Sequence, residues 1–126
     1  MIGYALVGSN NLEKAKAFYD ELVKPLGGSP MFEHPSGGRV YTNGKGPSFG
    51  VVGPFNHAPA TFGNGTMIAL LADTTEQVRQ VFDTAMRLGG TDEGGPGWRG
   101  EPGGFYGAYF RDLDGNKLCV YRVGPE

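Results

Sequence analysis

Apolar and polar positions along this chain repeat after half its length. Tyr4-Ala-Leu-Val-Gly-Ser-Asn-Asn11 opens with a short apolar run, and Met67-Ile-Ala-Leu-Leu-Ala-Asp-Thr74, 63 residues later, opens with another. Each reads as a strand buried on both faces. A cap signal follows each run, Asn10 with Glu13 and then Thr74 with Gln77, three residues apart as in a capping box. Beyond the caps the period changes from two to about 3.6. Leu12, Ala15, Tyr19, Leu22 and Leu26 form one apolar stripe, and Val78, Val81, Phe82 and Ala85 form the second. The spacing predicts helices over Leu12–Leu26 and Thr75–Leu88, each stopped by a Gly-Gly pair, Gly27-Gly28 and Gly89-Gly90.

Short runs of strand-forming residues come next in both halves. They lie at Ser29–His34, Arg39–Thr42 and Ser48–Val52, then at Thr91–Glu93, Phe105–Arg111 and Lys117–Val123, with Asp114-Gly115 as the clearest hairpin turn. The pattern therefore predicts an α+β fold, one domain over residues 1–126 made of two βαβββ modules, about 1–60 and 65–126. A module that leaves its apolar strand face bare must pair with its twin. The expected product is a curved, eight-stranded mixed sheet with helices outside and a concave face within, where a ligand would lie. Gly53–Gly65 reads as the linker between modules. Gly94–Gly104, eight of eleven residues Gly or Pro but holding Trp98, Arg99 and Glu101, reads as a mobile flap over the site.

Composition narrows the function classes. The 23 glycines and 9 prolines would approach the composition of disorder, but the apolar content is 39% and the net charge only −2, so a core is within reach. Eleven basic against thirteen acidic residues give no electrostatic footprint for nucleic acid or for an anionic membrane surface. No apolar run approaches the roughly 20 residues that cross a bilayer, and Met1–Asn10 lacks the basic flank of a signal peptide. The single cysteine, Cys119, permits no intrachain disulfide, which fits a cytoplasmic location.

With those elements placed, a resemblance emerges. Ile2-Gly-Tyr-Ala-Leu-Val-Gly-Ser-Asn-Asn-Leu-Glu-Lys-Ala-Lys-Ala-Phe-Tyr19 resembles the opening strand and helix of the vicinal oxygen chelate superfamily. That group includes glyoxalase I, bleomycin-resistance proteins and extradiol dioxygenases. Phe110-Arg-Asp-Leu-Asp-Gly-Asn-Lys-Leu118 resembles its closing hairpin, and Gly63-Asn-Gly-Thr-Met-Ile-Ala-Leu70 resembles the start of its second module. The resemblance implies a homodimer and a ligand site on the concave face. In metal-dependent members, four strand positions supply His and carboxylate ligands to one divalent ion. Carried over, these fall on Tyr4, Met67, Cys119 and a residue near Gly50. Thioether and thiolate are soft, a phenol is a poor ligand until it loses its proton, and glycine has no side chain. The expectation is no metal and no cofactor.

Other chemistry is sparse. His34 and His57, the only histidines, follow no ligand spacing. Gly95-Pro-Gly-Trp-Arg-Gly100 has dinucleotide-type glycines, but Glu101-Pro102 follows where a helix should open. Asp112-Leu-Asp-Gly-Asn116 lacks the downstream Glu of a calcium loop. Alternation puts Lys117 and Tyr121 on the side of Cys119. The candidate ligand-binding set is thus Tyr4, Phe49, Met67, Trp98, Arg99, Cys119 and Tyr121, an apolar and aromatic cavity for a small molecule. Two readings stand: a metal-free protein that binds a small apolar or aromatic molecule, and a lyase or dioxygenase of the glyoxalase group acting on a small metabolite.

Overall fold

The computed structural model describes all 126 residues. The elements run β1 (Tyr4–Gly8), α1 (Leu12–Leu22), β2 (Ser29–Glu33), β3 (Arg39–Thr42), β4 (Ser48–Val52), β5 (Ile68–Leu71), α2 (Thr75–Arg87), β6 (Thr91–Trp98), β7 (Phe105–Arg111) and β8 (Lys117–Val123). Each half is a βαβββ module, and the fold is α+β as the pattern predicts. The strands form two four-stranded mixed sheets, ordered β1-β4-β3-β2 and β5-β8-β7-β6, each with one parallel pair at its inner edge. No ladder joins β1 to β5, so the eight strands make two sheets within one chain rather than a single continuous one. As edge strands, β1 and β5 expose every second residue instead of burying both faces.

Helix ends depart from the pattern for local reasons. Pro25 lacks an N–H and restrains the residue before it. The expected single helix to Leu26 therefore stops at Leu22, and Lys24–Leu26 tightens into a 3₁₀ turn. The cap of α1 is Asn11, whose side chain accepts from the Lys14 N–H, not Asn10. Asn10 instead donates its backbone N–H to Asp114 and exchanges two bonds with Ala60, so tertiary contacts claim it. Thr74 and Gln77 form the full capping box on α2.

The two modules share one core, because α1 and α2 pack on each other and both helical stripes face inward. Phe18, Tyr19, Leu22, Val51, Val78, Val81, Phe110, Leu118 and Val120 are fully enclosed there, each contributing roughly 1.5–3 kcal/mol by leaving water. A buried polar joint sits beside it. Asp112 accepts from the Tyr19 hydroxyl, from Asn116 Nδ2 and from the backbone N–H groups of Asp114 and Asn116. Asn116 also donates to the Gly8 carbonyl at 2.9 Å, tying the β7–β8 turn to the end of β1. Neither helix is long and apolar enough to cross a membrane.

Candidate functional site

Alternation along the strands sorts the predicted residues onto two sheet faces. On β1, Val7 is buried toward the helices while Tyr4 and Leu6 point away from them, Tyr4 being 68% exposed. On the second sheet the register aligns Ala69 with Cys119 and with Tyr109, and Leu71 with Tyr121 and with Gly107. Met67, one step before β5, falls on this same face and is 43% exposed. The second module thus brings Met67, Cys119 and Tyr121 together on its helix-free face, while Tyr4 stands on the corresponding face of the other sheet.

Phe49 and Trp98 belong elsewhere. Phe49 is buried on the helix side, its ring 5.1 Å from that of Tyr19. Trp98 ends β6 and packs edge-on against Tyr106, 5.0 Å between centroids, on the side of α2. The expected flap is therefore a strand in its first half. Its backbone pairs with β7 despite register shifts at the glycines, and the indole finds an apolar partner in the core margin. Arg99 turns the opposite way. It lies over the ring of Tyr109, 5.5 Å from its centroid, and donates to the carbonyls of Gly95 and Gly97 at 2.6 and 2.9 Å.

The face of the second sheet is built around Tyr109, which the sequence reading passed over. Lys117 places its ammonium 5.8 Å from the same ring. Beyond it, Phe105 and Tyr121 stack with planes 5° apart and centroids at 5.2 Å. Cys119, 1% exposed, lies between. Burial pushes its thiol pKa up to about 11, although Arg99, a hydrogen bond from Tyr109 and Lys117 all pull the other way. It is a neutral, small, apolar neighbour rather than a nucleophile. The face thus carries Arg99, Lys117 and the Arg111–Glu93 ion pair beside its aromatics, where the expected cavity was mainly apolar and aromatic.

The metal positions can be tested on their donors. Cys119 keeps its proton, Met67 offers a thioether, and Tyr4 projects into solvent from the other sheet. Gly50 is the most telling: a Cβ there would meet Leu6 Cδ2 at 2.9 Å and Val40 Cγ2 at 3.0 Å, so β1 and β3 close over the place a carboxylate stem would need. This set does not suit a hard divalent ion, and no cluster of three His, Cys, Asp or Glu side chains occurs elsewhere. His34 is engaged with Ser36 through Nδ1, and His57 is exposed in the inter-module linker.

A separate cleft of about 520 Å³ opens where β1 and β5 approach. It is lined by Ile2, Ala5, Leu26, Phe49, Met67 and Leu70 among others, with the Lys45–Asp73 ion pair at 3.1 Å beside it. Met67 and Phe49 line this cleft together, whereas Tyr4, Cys119 and Tyr121 do not.

The arrangement of two βαβββ modules with this closing turn has known counterparts. Residues 1–120 match the model of the glyoxalase/bleomycin resistance protein/dioxygenase superfamily. The chain belongs to that superfamily. A solved glyoxalase/bleomycin resistance protein from Albidiferax ferrireducens is 37% identical, with a TM-score of 0.88 over 97% of this chain and 98% of that one. Two superfamily structures of lower identity share the fold. A glyoxalase/bleomycin resistance protein/dioxygenase family enzyme from Burkholderia phytofirmans is 19% identical, with a TM-score of 0.72 over 96% of this chain and 97% of that one. Lactoylglutathione lyase from Agrobacterium tumefaciens is 21% identical, with a TM-score of 0.66 over 97% and 92%. Among curated proteins none matches.

Proposed function

We propose that this glyoxalase/bleomycin-resistance-like chain binds a small planar, largely apolar molecule on the helix-free sheet face, without a divalent metal, and acts as a cytoplasmic homodimer. The observation that carries this reading is an apolar and aromatic surface in which Met67 and Leu71 are exposed beside the half-buried rings of Phe105, Tyr109 and Tyr121, with Tyr4 and Leu6 exposed on the companion sheet. Large apolar side chains gathered on a strand face without a covering layer mark a binding surface. Stacked aromatics offer flat area at little entropic cost. The open edges of β1 and β5 supply the argument for a second copy, since unpaired strand edges favour a symmetric partner. The alternative, a lyase or dioxygenase, requires a Lewis acid that the donors at Tyr4, Gly50, Met67 and Cys119 do not hold.

The test is an NMR screen of planar aromatic compounds, neutral and acidic, against wild type, Met67→Trp and Tyr121→Ala. Shifts on β5, β7 and β8 that vanish in Met67→Trp and weaken in Tyr121→Ala are expected. No binder at millimolar concentration, or binding that survives Met67→Trp unchanged, would overturn the reading. Trp98 emission is a poor reporter here, because its indole lies on the helix side.

A further inference from the structure

Six of the chain's cations, Lys16, Lys24, Lys45, Arg39, Arg79 and Arg111, pair with carboxylates. Arg99 and Lys117 have no acidic partner, yet they converge on one aromatic ring at 5.5 and 5.8 Å. Arg99 is also held in place. Its Nη1 and Nη2 donate to the carbonyls of Gly97 and Gly95, which leaves Nε free. The glycines of β6 make this possible. A Cβ at Gly97 would sit 3.2 Å from Nη1 and one at Gly94 3.4 Å from Nη2, so the strand's missing side chains form a trough in which the guanidinium lies. An otherwise odd strand sequence, Thr91-Asp-Glu-Gly-Gly-Pro-Gly-Trp98, thereby acquires a purpose. Of the acids of β6, Glu93 pairs with Arg111 and Asp92 accepts from the Gly94 N–H.

We infer that the ligand of this face carries an acidic group, a carboxylate or a comparable monoanion, clamped between Arg99 and Lys117 while its planar body lies along Tyr109 and the Phe105–Tyr121 stack. This rests on the proposed binding of a planar molecule and adds its charge. A preorganised guanidinium with a free N–H, next to an ammonium without an acidic partner, suits one anionic oxygen pair better than a neutral group. The Tyr109 ring attracts both cations and holds them beside the place an anion would take. Tyr109 and Cys119 complete the surroundings with neutral groups, and the one carboxylate on this face, Glu93, is neutralised by Arg111.

Isothermal titration of 1-naphthoate, 1-naphthamide and inorganic phosphate separates the charge from the ring. Naphthoate should bind at least tenfold tighter than naphthamide. Lys117→Gln and Arg99→Gln should each weaken naphthoate about tenfold and leave naphthamide within twofold, with unchanged thermal unfolding as the control for folding. Lys14→Gln, exposed on α1, should change neither. Equal binding of naphthoate and naphthamide would overturn the anion clamp and leave the planar-ligand reading intact. Phosphate binding as tightly as naphthoate would support the clamp but overturn the planar reading. Binding of none of the three would overturn both.

Discussion

The buried joint between the modules makes a quantitative stability prediction. Asp112 is enclosed and accepts four hydrogen bonds, from the Tyr19 hydroxyl, Asn116 Nδ2 and two backbone N–H groups of its own turn. Asp112→Ala removes the acceptor but leaves the donors in place. The Tyr19 hydroxyl, on a side chain with no exposed surface, then has no partner, and neither do two turn amides. An orphaned buried donor costs about 1–3 kcal/mol, and the amides recover part of that from water, so the expected loss is about 3–5 kcal/mol. That is a large share of the roughly 5–15 kcal/mol by which a domain is stable. Tyr19→Phe removes only the hydroxyl, and Asp112 keeps three donors, so its cost is about 1–2 kcal/mol. The double variant is the decisive one. Once Asp112 is gone the Tyr19 hydroxyl is a liability, so adding Tyr19→Phe to Asp112→Ala should cost nothing or restore stability. Urea unfolding of the four proteins gives the cycle, with a coupling of about 1 kcal/mol or more expected. Additive costs, within about 0.3 kcal/mol, would show that the bond contributes nothing and that the joint is merely packed.

Alkaline pH tests the same residue. The Tyr19 pKa is raised well above its ordinary value of 10.0, first by burial and then by Asp112, so the folded state keeps a proton that the unfolded state loses. Stability should be fully present below pH 10 and fall above it, and Tyr19→Phe should flatten that fall in urea titrations. A share of the slope persists in Tyr19→Phe, because burial and Asp20 raise Tyr41 as well. Cys119, with its thiol near 11 and 1% exposed, should react with iodoacetamide at pH 7.5 at least a hundredfold more slowly than in urea; comparable rates would place it at the surface. Protein incubated with zinc, nickel, manganese or iron(II) and desalted should carry less than a tenth of an equivalent by elemental analysis, and Gly50→Glu should destabilise without raising that value, given the Leu6 and Val40 contacts. Sedimentation at micromolar concentration should give about twice the 13.4 kDa chain mass; a monomer throughout would remove the symmetric partner.

The repeat, both helices, the capping box at Thr74 and four of the eight strand spans were legible because they depend on local periodicity and local hydrogen bonds. The family followed from the same short segments, since its opening strand, its helix and its closing turn are each contiguous in sequence. What the chain order could not convey was register and facing. Read as a two-residue turn, Asp114-Gly115 would pair Phe110 with Cys119. The loop instead spans Asp112–Asn116, held by the Asp112 carboxylate, and pairs Tyr109 with Cys119. That one-residue difference exchanges a core ring for the ring that gathers Arg99 and Lys117, because side chains alternate faces. Phe49 and Trp98 went to the core for a similar reason. Aromatic type announces a surface to be buried, while the helices packed above the sheet decide on which side. The glycines of β6 looked like a flexible loop because composition registers missing side chains. Only the neighbouring strand β7, and the guanidinium lying in the vacated trough, turned that absence into structure.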